Sequence, residues 1–479
     1  MELKWFSTNI NSCYSSESLR VDAKYRYFND IENFEVWKGR GEITLSKYLQ
    51  EISSSKFKKG ILEEPYPLVD LGNIERRSNN LKKVLEVREI GSDKNLLSEG
   101  DIIIPKIEPK KGQFFLNLEH NEYLGSTELV EYKIKNNSVN PIFLYYLLVS
   151  DNFLKCLAYL ESGKTHKRVS GRDLLKIKIP VVKLELQNKL VVKIKPIAEK
   201  ILELKKEVSD PIEVIDKVFA KEFNYDLSHF EEKKTAKTFK ASLFDVANDE
   251  LKFDISLKSK VLFEEFIKTC RTNGLHFRPI RNNIAEVRGG KRLAKGQNVT
   301  EEEMPYKYVR VDDLSWDGSF DLDNVKYITE ENQKPIARYI SNTNDILLTI
   351  VGATVGKCGL VPEELDGHNI TENFARLIVN TELFNPQFLT YCLQSKIVQY
   401  QIDEYTGKGS QGKLAIFRIK KLLIPNIALT EQMRILNLIS SAFDRQKIIE
   451  KLIEAKQTEI SKFIESSIIN KKGLTNRST

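Results

Sequence analysis

Apolar and polar residues alternate in short runs along most of the chain, and twice this pattern gives way to a helical repeat. Such alternation is typical of strands that bury one face. We therefore predict strands at LRVDAKY (19–25), YPLVDLGNI (66–74), LKFDISL (251–257) and YKYVRVDDL (306–314).

Two later stretches place apolar residues at steps of four and three, which is the spacing of a heptad seam on one helix face. Pro196 interrupts the first stretch and should bend its helix or delay its start. Lys and Glu crowd the other faces, so we favour pairing of the two helices over packing of each on its own domain. The seam residues are Leu190, Ile194, Ile197, Ile201, Leu204 and Val208, and then Ile435, Ile439, Ala442, Ile449, Ile453, Ile460 and Phe463.

The two halves of the chain repeat one another in the same order, and Gln432 follows Gln187 by 245 residues. The fixed order of these weak similarities predicts two copies of one unit, over 1–230 and 231–479. Each copy has short strands, an N-P-x-F-L helix start, a Gly-Lys loop, an I-P stop and a closing helix. The paired segments are GDIIIPKI (100–107) with NDILLTIV (344–351), NPIFLYYLL (140–148) with NPQFLTYCL (385–393), and GKTHKRVSGRDLLKIKIP (163–180) with GKGSQGKLAIFRIKKLLIP (407–425).

Composition indicates a globular protein, with 41% hydrophobic and 29% charged residues, and 479 residues are enough for two or three domains. The net charge of +7 is modest, so affinity for a polyanion has to come from where the bases lie. No apolar run is long enough to cross a membrane, and scattered cysteines without zinc-ligand spacing favour a cytoplasmic protein. The cysteines are Cys13, Cys156, Cys270, Cys358 and Cys392.

Catalytic motifs are weak. Asp101, Glu108 and Lys110 resemble the D…E-x-K arrangement that holds a divalent cation in nucleases, but the second copy keeps only Asp345 of the carboxylate pair. The stretch VGATVGKCG (351–359) lacks the first glycine and the hydroxyl residue of a phosphate-binding loop. We therefore predict a chain that is not an enzyme and holds no metal, with a metal-dependent nuclease as the alternative.

Clusters of bases recur at matching places in the two copies, and a third cluster lies in the second copy at VRGGKRLAKGQ (287–297). Lysine and arginine neutralise phosphates, while arginine and glutamine can read purine edges in the major groove. These clusters predict DNA binding by Lys164, Lys167, Arg168 and Arg172 in the first copy, by Lys408, Gln411, Lys413 and Arg418 in the second, and by Arg288, Lys291, Arg292, Lys295 and Gln297 in the third cluster.

The order of these motifs resembles that of the DNA-specificity subunits of Type I restriction-modification enzymes. The first copy departs from the family pattern, because PKIEPKKG (105–112) stands where the second copy has its G-x-T-x-G turn. The resemblance is carried by GKRLAKGQ (290–297), YVRVDDL (308–314), NDILLTIVGATVGKCGLV (344–361), ITENFARLIV (370–379), NPQFLTYCLQS (385–395) and LLIPNIALTEQMRIL (422–436).

The resemblance implies an α+β protein with two tandem α/β target-recognition domains, each followed by a long helix. The two helices would pair as an antiparallel coiled-coil spacer between the domains. The implied boundaries are 1–183 for the first target-recognition domain, 184–230 for the first spacer helix and connector, 231–428 for the second domain, 429–470 for the second spacer helix and 471–479 for a tail.

By the same resemblance, the chain would read a split site on double-stranded DNA and scaffold two methylation subunits and restriction/translocation subunits. It would hold no cofactor, since S-adenosylmethionine, ATP and Mg²⁺ would belong to the partner subunits. A specificity module of another DNA-methylation or defence system is the alternative within this class. The predicted partner-binding residues are Gln187, Leu190, Ile194, Ile201, Gln432, Ile435, Ile439 and Ile449.

Overall fold

The structure, a computed structural model, divides the chain into two compact units. The first unit comprises Met1–Val208 and Ile448–Thr479, and the second comprises Ser209–Lys447. The described residues are 36–37, 43–82, 84–135, 137–163, 167–180, 182–228, 230, 255–281, 283–406 and 412–469, with side chains described throughout except at 255–262 and 469.

The first unit is built on one antiparallel sheet, one mixed sheet and one small strand pair. Its sheets have the orders β2-β10-β7-β8 and β3-β6-β9-β4-β5, and β1 pairs with β11. Within the second sheet only the β4–β9 pair is parallel. The strands are β1 (Ile43–Thr44), β2 (Leu49–Ile52), β3 (Lys56–Phe57), β4 (Gly60–Val69), β5 (Leu85–Ile90), β6 (Lys94–Leu97), β7 (Ile102–Pro105), β8 (Phe115–Leu116), β9 (Tyr123–Ser126), β10 (Leu129–Ile134) and β11 (Lys178–Ile179).

Helices of the first unit cover its four-stranded sheet. Asn140 caps the first of them, because its side-chain oxygen accepts from the backbone N–H groups of Ile142 and Phe143, and Pro141 occupies the first helical position. The helices are α1 (Pro141–Leu148), α2 (Asp151–Leu160), α3 (Gly171–Leu175) and α4 (Leu184–Glu207), with short 3₁₀ turns at Leu45–Lys47, Leu71–Asn73 and Pro109–Lys111.

The second unit repeats this arrangement with different connections. Its sheets have the orders β13-β19-β16-β17 and β15-β14-β18, and β12 pairs with β20. The strands are β12 (Phe277–Pro279), β13 (Ala285–Gly289), β14 (Tyr306–Val309), β15 (Lys326–Ile328), β16 (Ile346–Thr349), β17 (Cys358–Leu360), β18 (Asn369–Ile370), β19 (Phe374–Val379) and β20 (Leu423–Pro425).

Seven helices contribute to the described part of the second unit, and the last of them also serves the first unit. They are α5 (Pro211–Glu222), α6 (Ile255–Thr272), α7 (Glu330–Gln333), α8 (Pro386–Gln394), α9 (Lys396–Tyr405), α10 (Ile416–Ile419) and α11 (Leu429–Ile469), with 3₁₀ turns at Val311–Asp313, Lys334–Ile336 and Glu363–Leu365. Residues 429–447 of α11 belong to the second unit, and residues 448–469 belong to the first.

Three features recur in both units and match the repeat predicted from the sequence. A buried antiparallel pair forms the centre of the four-stranded sheet of each unit, as β7–β10 and as β16–β19. One parallel pair joins the other sheet, as β4–β9 and as β14–β18. The strand at each I-P stop pairs with the strand that opens its unit, as β11–β1 and as β20–β12. The chain therefore contains two tandem domains of mixed helix and strand content.

The heptad seams are buried within the units. Leu190, Ile194 and Ile201 of α4 share the core of the first unit with Ile453 and Ile460 of α11. In the second unit, the seam residues Ile435 and Ile439 share the core with Ile215 and Phe219 of α5.

Two sequence predictions need correction. The helix α4 begins at Leu184, so Pro196 does not delay its start. The strand predicted at 251–257 is wrong where it is described, because α6 begins at Ile255, and the one predicted at 19–25 lies outside the described residues. Among the described residues, no single helix is long and apolar enough to cross a membrane, and α1 and α2 reach that composition only as a pair bent by 57°.

Candidate nucleic-acid interface

The second unit brings two of its base-rich segments together at one edge of its larger sheet. Leu414 N donates to Ile350 O at 2.9 Å, which holds the segment 412–421 against the turn that follows β16. Ile416 of that segment lies beside the end of β13, since a Cβ on Gly289 would stand 3.6 Å from Ile416 Cδ1. The loop that carries the third base cluster starts at this same point.

The glycines of the third cluster serve the protein's own backbone. Gly290 N donates to Phe374 O and Lys291 N donates to Ile370 O, both at 3.1 Å. A Cβ on Gly290 would lie 2.0 Å from Thr371 O, so only glycine fits there. The close approach at Gly290 therefore involves the neighbouring strand connection, and it fixes where the loop leaves the sheet.

The bases of the third cluster lie at the surface, and its two arginines pair with acids. Arg288 binds Glu286 through two hydrogen bonds of 2.8 and 2.9 Å, and Arg292 binds Glu372 at 2.5 Å. Exposed ion pairs contribute little to stability, so a phosphate can replace the carboxylate at small cost. Lys291 and Lys295 are exposed, whereas the side chain of Gln297 accepts from Ala294 N and closes a local turn.

The segment 412–421 presents bases and an aromatic ring. Lys413 is exposed, and the guanidinium of Arg418 donates to Tyr405 O while lying 5.8 Å from the centroid of the Phe417 ring. Phe417 itself is 59% exposed. Sequence reasoning missed Phe417, because an apolar residue inside the run LAIFRI carries no signal that it faces solvent.

The first unit builds its base-rich segment in the same way. Val169 N donates to Lys106 O at 3.0 Å, which is the counterpart of the bond from Leu414 to Ile350, and Glu108 N donates to Lys167 O at 2.8 Å. Lys167, Arg168 and Arg172 are exposed, and the Arg168 guanidinium binds both oxygens of Glu128. The remaining predicted contacts, Lys164, Lys408 and Gln411, lie outside the described residues.

Arg172 owes its position to a capped helical turn. The Ser170 hydroxyl accepts from Asp173 N at 3.1 Å and starts α3, which points Arg172 away from the buried Asp173 and Leu174.

The residues of the nuclease alternative have separate partners. Asp101 accepts from Ile134 N at 2.7 Å, Glu108 pairs with Lys111, and Lys110 Nζ lies 2.8 Å from Glu161. Among the described residues, no group of three or more His, Cys, Asp or Glu side chains could hold a metal ion.

Lys357, in the stretch VGATVGKCG (351–359) that lacks two residues of a phosphate-binding loop, has a structural role. Its buried amine donates to Val311 O at 3.0 Å and to Leu314 O at 2.5 Å, and so holds the 3₁₀ turn after β14. Burial lowers the pKa of Lys357 below its ordinary value. The amine therefore points into the protein, away from any ligand at the surface.

The two glutamines predicted to bind partners are buried and bind backbone groups of their own units. Gln187 Oε1 accepts from Asn140 N at 2.7 Å, and Gln432 Oε1 accepts from Asn385 N at 2.8 Å. Each side-chain NH₂ group donates to two backbone carbonyls, of Ser138 and Val182 or of Leu383 and Ile427.

The predicted partner-binding side chains on the helices are also turned inward. Leu190, Ile194, Ile201, Ile435 and Ile439 are buried, and Ile449 is half-buried. A partner can reach the same helices only through their exposed faces.

A loop of the first unit fastens its sheet to its helices. Arg77 and Asn79 in this loop have positive φ values of 54° and 45°. This left-handed backbone conformation is uncommon for residues other than glycine, and the surrounding structure has to hold it in place. The bonds that enforce them run from Lys205 Nζ to Glu75 and Ser78, from Gln457 Nε2 to Arg76 O, from Arg77 to Ser461 and Asp151, and from Asn79 N to Tyr145 Oη.

Comparisons with known proteins agree on one family. The Type I restriction modification DNA specificity domain matches residues 52–214 and 282–459. The Type I restriction enzyme EcoBI specificity subunit of Escherichia coli is 24% identical over 337 residues, which span 70% of this chain and 65% of that relative. The alignment thus covers slightly less than two thirds of the curated relative.

Three solved structures are also similar over most of the chain. A structure described as the basis of complex assembly and conformational transition of the type I R-M system has a TM-score of 0.38 and 15% identity, over 90% of this chain and 96% of that one. The HsdS subunit from Thermoanaerobacter tengcongensis gives 0.33 and 14%, over 89% and 96%. The S subunit from M. genitalium gives 0.34 and 14%, over 88% and 94%.

Proposed function

Because this chain belongs to the Type I restriction modification DNA specificity family, we propose that it is a non-catalytic DNA sequence-recognition subunit that reads a split site. The observation that carries the proposal is the duplicated base-rich segment. In each unit the same backbone hydrogen bond joins this segment to the turn after the central strand. The bond runs from Val169 N to Lys106 O in the first unit and from Leu414 N to Ile350 O in the second. Two similar surfaces of this kind suit two half-sites.

The domain assignment follows from this proposal. Residues 1–183 and 231–428 form the target-recognition domains, 184–230 and 429–470 supply the spacer helices with their connector, and 471–479 form a tail. We take α4 and α11 to pair as an antiparallel coiled coil that sets the gap between half-sites. The 24 residues of α4 rise about 36 Å, which is close to one turn of duplex DNA.

Contacts within each unit support the spacer. In the second unit, Ser209 at the start of α5 donates to Gln446, and Glu222 at its end pairs with Arg434, so α5 runs antiparallel to that part of α11. In the first unit the seam of α4 shares its core with residues 453–468 of α11.

The proposed partners are double-stranded DNA, two methylation subunits and restriction/translocation subunits. S-adenosylmethionine, ATP and Mg²⁺ act in those subunits in this proposal. Exposed apolar side chains on the helices of the first unit support docking there: Val192 is 73% exposed on α4, and Ile448 and Leu452 are 65% and 43% exposed on α11. Apolar groups that remain in water are available for burial against another protein.

The test is selection of bound duplexes from a pool with a randomised central region, using the full chain with its methylation subunits. We expect enrichment of two short specific blocks separated by an unspecified gap of fixed length. Enrichment of one continuous block, or of none, would contradict the proposal.

A parallel assay addresses the nuclease alternative. The chain alone, incubated with plasmid and Mg²⁺, should leave the plasmid intact. Cleavage that disappears in Glu108→Ala would make the chain an enzyme.

A further inference from the structure

We propose that Phe417 is a specificity-determining residue of the second target-recognition domain, and that its ring edge contacts the C5-methyl group of a thymine in the major groove. The inference rests on the proposed function and names one chemical contact within it. No motif in the sequence assigns a role to this residue.

The backbone of α10 directs Phe417 outward. Ile419 is fully buried and Ile416 packs beside Gly289, so the neighbouring ring leaves the core and remains 59% exposed. Single exposed apolar residues are common and carry no meaning alone. This one lies between Lys413 and Lys421, in a segment whose counterpart in the first unit is also basic.

Two cations lie near the Phe417 ring and limit which part of the ring can contact a base. Arg418 Cζ lies 5.8 Å and Lys421 Nζ 5.7 Å from the ring centroid, and both stand over the ring. A base that stacked on the ring would compete with these cations for a face, so we take the ring edge as the part that contacts a base. Phenylalanine edges make apolar contacts with the thymine methyl group, and the adjacent cations suit the flanking phosphates.

The equivalent residue of the first unit is Arg172. It precedes Phe417 by 245 residues, which is also the separation of Gln187 and Gln432, and it stands at the same point of the short helix before the I-P strand. Arginine pairs with the guanine edge, while phenylalanine suits thymine. An arginine and a phenylalanine at equivalent positions of the two domains would let each domain recognise a different base, as two different half-sites require.

The experiment starts from the duplex that the wild-type complex selects from the randomised pool. Each thymine of that duplex is replaced in turn by deoxyuridine, which removes only the C5-methyl group. Affinity is measured for the wild type, Phe417→Ala and Arg172→Ala. Lys413→Ala serves as a control for phosphate contacts, and thermal unfolding establishes that each variant is folded.

We expect one deoxyuridine position, within one half-site, to lower wild-type affinity about fourfold, the effect of losing one buried methyl group. Phe417→Ala should lose both this sensitivity and the base preference at that position, and should keep the other half-site. Arg172→Ala should weaken the preference for guanine at one position of the other half-site. Lys413→Ala should weaken all duplexes alike.

A Phe417→Ala complex with the wild-type preference at every position, or one that weakens all duplexes alike, would overturn the inference alone. A wild-type complex that selects no sequence would overturn the proposed function and the inference with it.

Discussion

Gln187 and Gln432 make the same three hydrogen bonds, 245 residues apart in the chain. Each accepts from the backbone N–H of the asparagine that caps the N-P helix, Asn140 or Asn385, and each donates to two backbone carbonyls. The start of α4 and the start of α11 are thereby tied to α1 and α8, respectively. The duplicated unit therefore includes the junction between each domain and its closing helix.

Replacement of Gln187 by leucine should destabilise the protein by about 2–4 kcal/mol, because a buried N–H group and two carbonyls lose their partner. Urea unfolding would measure the change. Gln50→Leu, at an exposed position of β2, is the matched control and should have little effect. Equal stabilities for the two variants would show that the buried bonds are not needed.

The contact of Lys205 with the loop at residues 75–79 should matter more than an ordinary surface ion pair. Lys205 and Glu75 are largely buried, so Lys205→Met leaves a carboxylate without its cation and should cost about 1–3 kcal/mol. Lys200→Met removes an exposed pair with Glu203 on the same helix and should leave stability unchanged. The double variant Glu75→Gln/Lys205→Met should recover part of the loss, and a failure to recover any would argue against the charge explanation.

Asp216 should make the stability of the second unit depend on pH. Burial raises the pKa of Asp216 from 3.8 to about 6, although Lys396 N donates to one of its oxygens. The folded chain then keeps this proton between about pH 4 and 6 while the unfolded chain releases it, so stability falls as pH rises through that window. The loss amounts to about 3 kcal/mol and stays constant at higher pH.

Asp216→Asn removes this titration and still offers an oxygen to Lys396 N. The Tm of the variant minus the Tm of the wild type should therefore increase from pH 4 to pH 7. A difference in Tm that is independent of pH would show that Asp216 ionises normally.

Lys413 should contribute to DNA affinity without contributing to sequence choice. If its exposed amine contacts a phosphate, Lys413→Ala weakens binding to all duplexes and lowers the slope of log K against log salt by about one unit. Lys268→Ala, on α6 and outside the base-rich segments, is the control. Unchanged affinity at low salt would remove Lys413 from the interface.

The sequence predicted the repeated pattern of elements, because asparagine caps, Pro141 and Pro386, and alternating strands are local signals. The heptad spacing likewise predicted which helix faces are buried. Heptad spacing does not show what covers those faces. The sequence alone therefore does not reveal that backbone groups of their own units satisfy Gln187 and Gln432. Four of these six bonds join residues 47 or 49 positions apart and leave no periodic trace in the sequence.

The interface shows the same limit. Base clusters were visible in the sequence, but the pairing of Arg292 with Glu372, 80 residues away, depends on how the chain folds. The outward direction of Phe417 depends on which neighbours face the core. Both features are tertiary, and neither alternation nor spacing encodes them.

The central claim, that this chain chooses the DNA sequence on which its partners act, is tested most directly by methylome sequencing. A host expressing the chain with its methylation subunits is compared with one expressing those subunits alone. The account predicts a new split methyladenine motif only when the chain is present. No new motif, despite demonstrated binding of the chain to the methylation subunits, would contradict it.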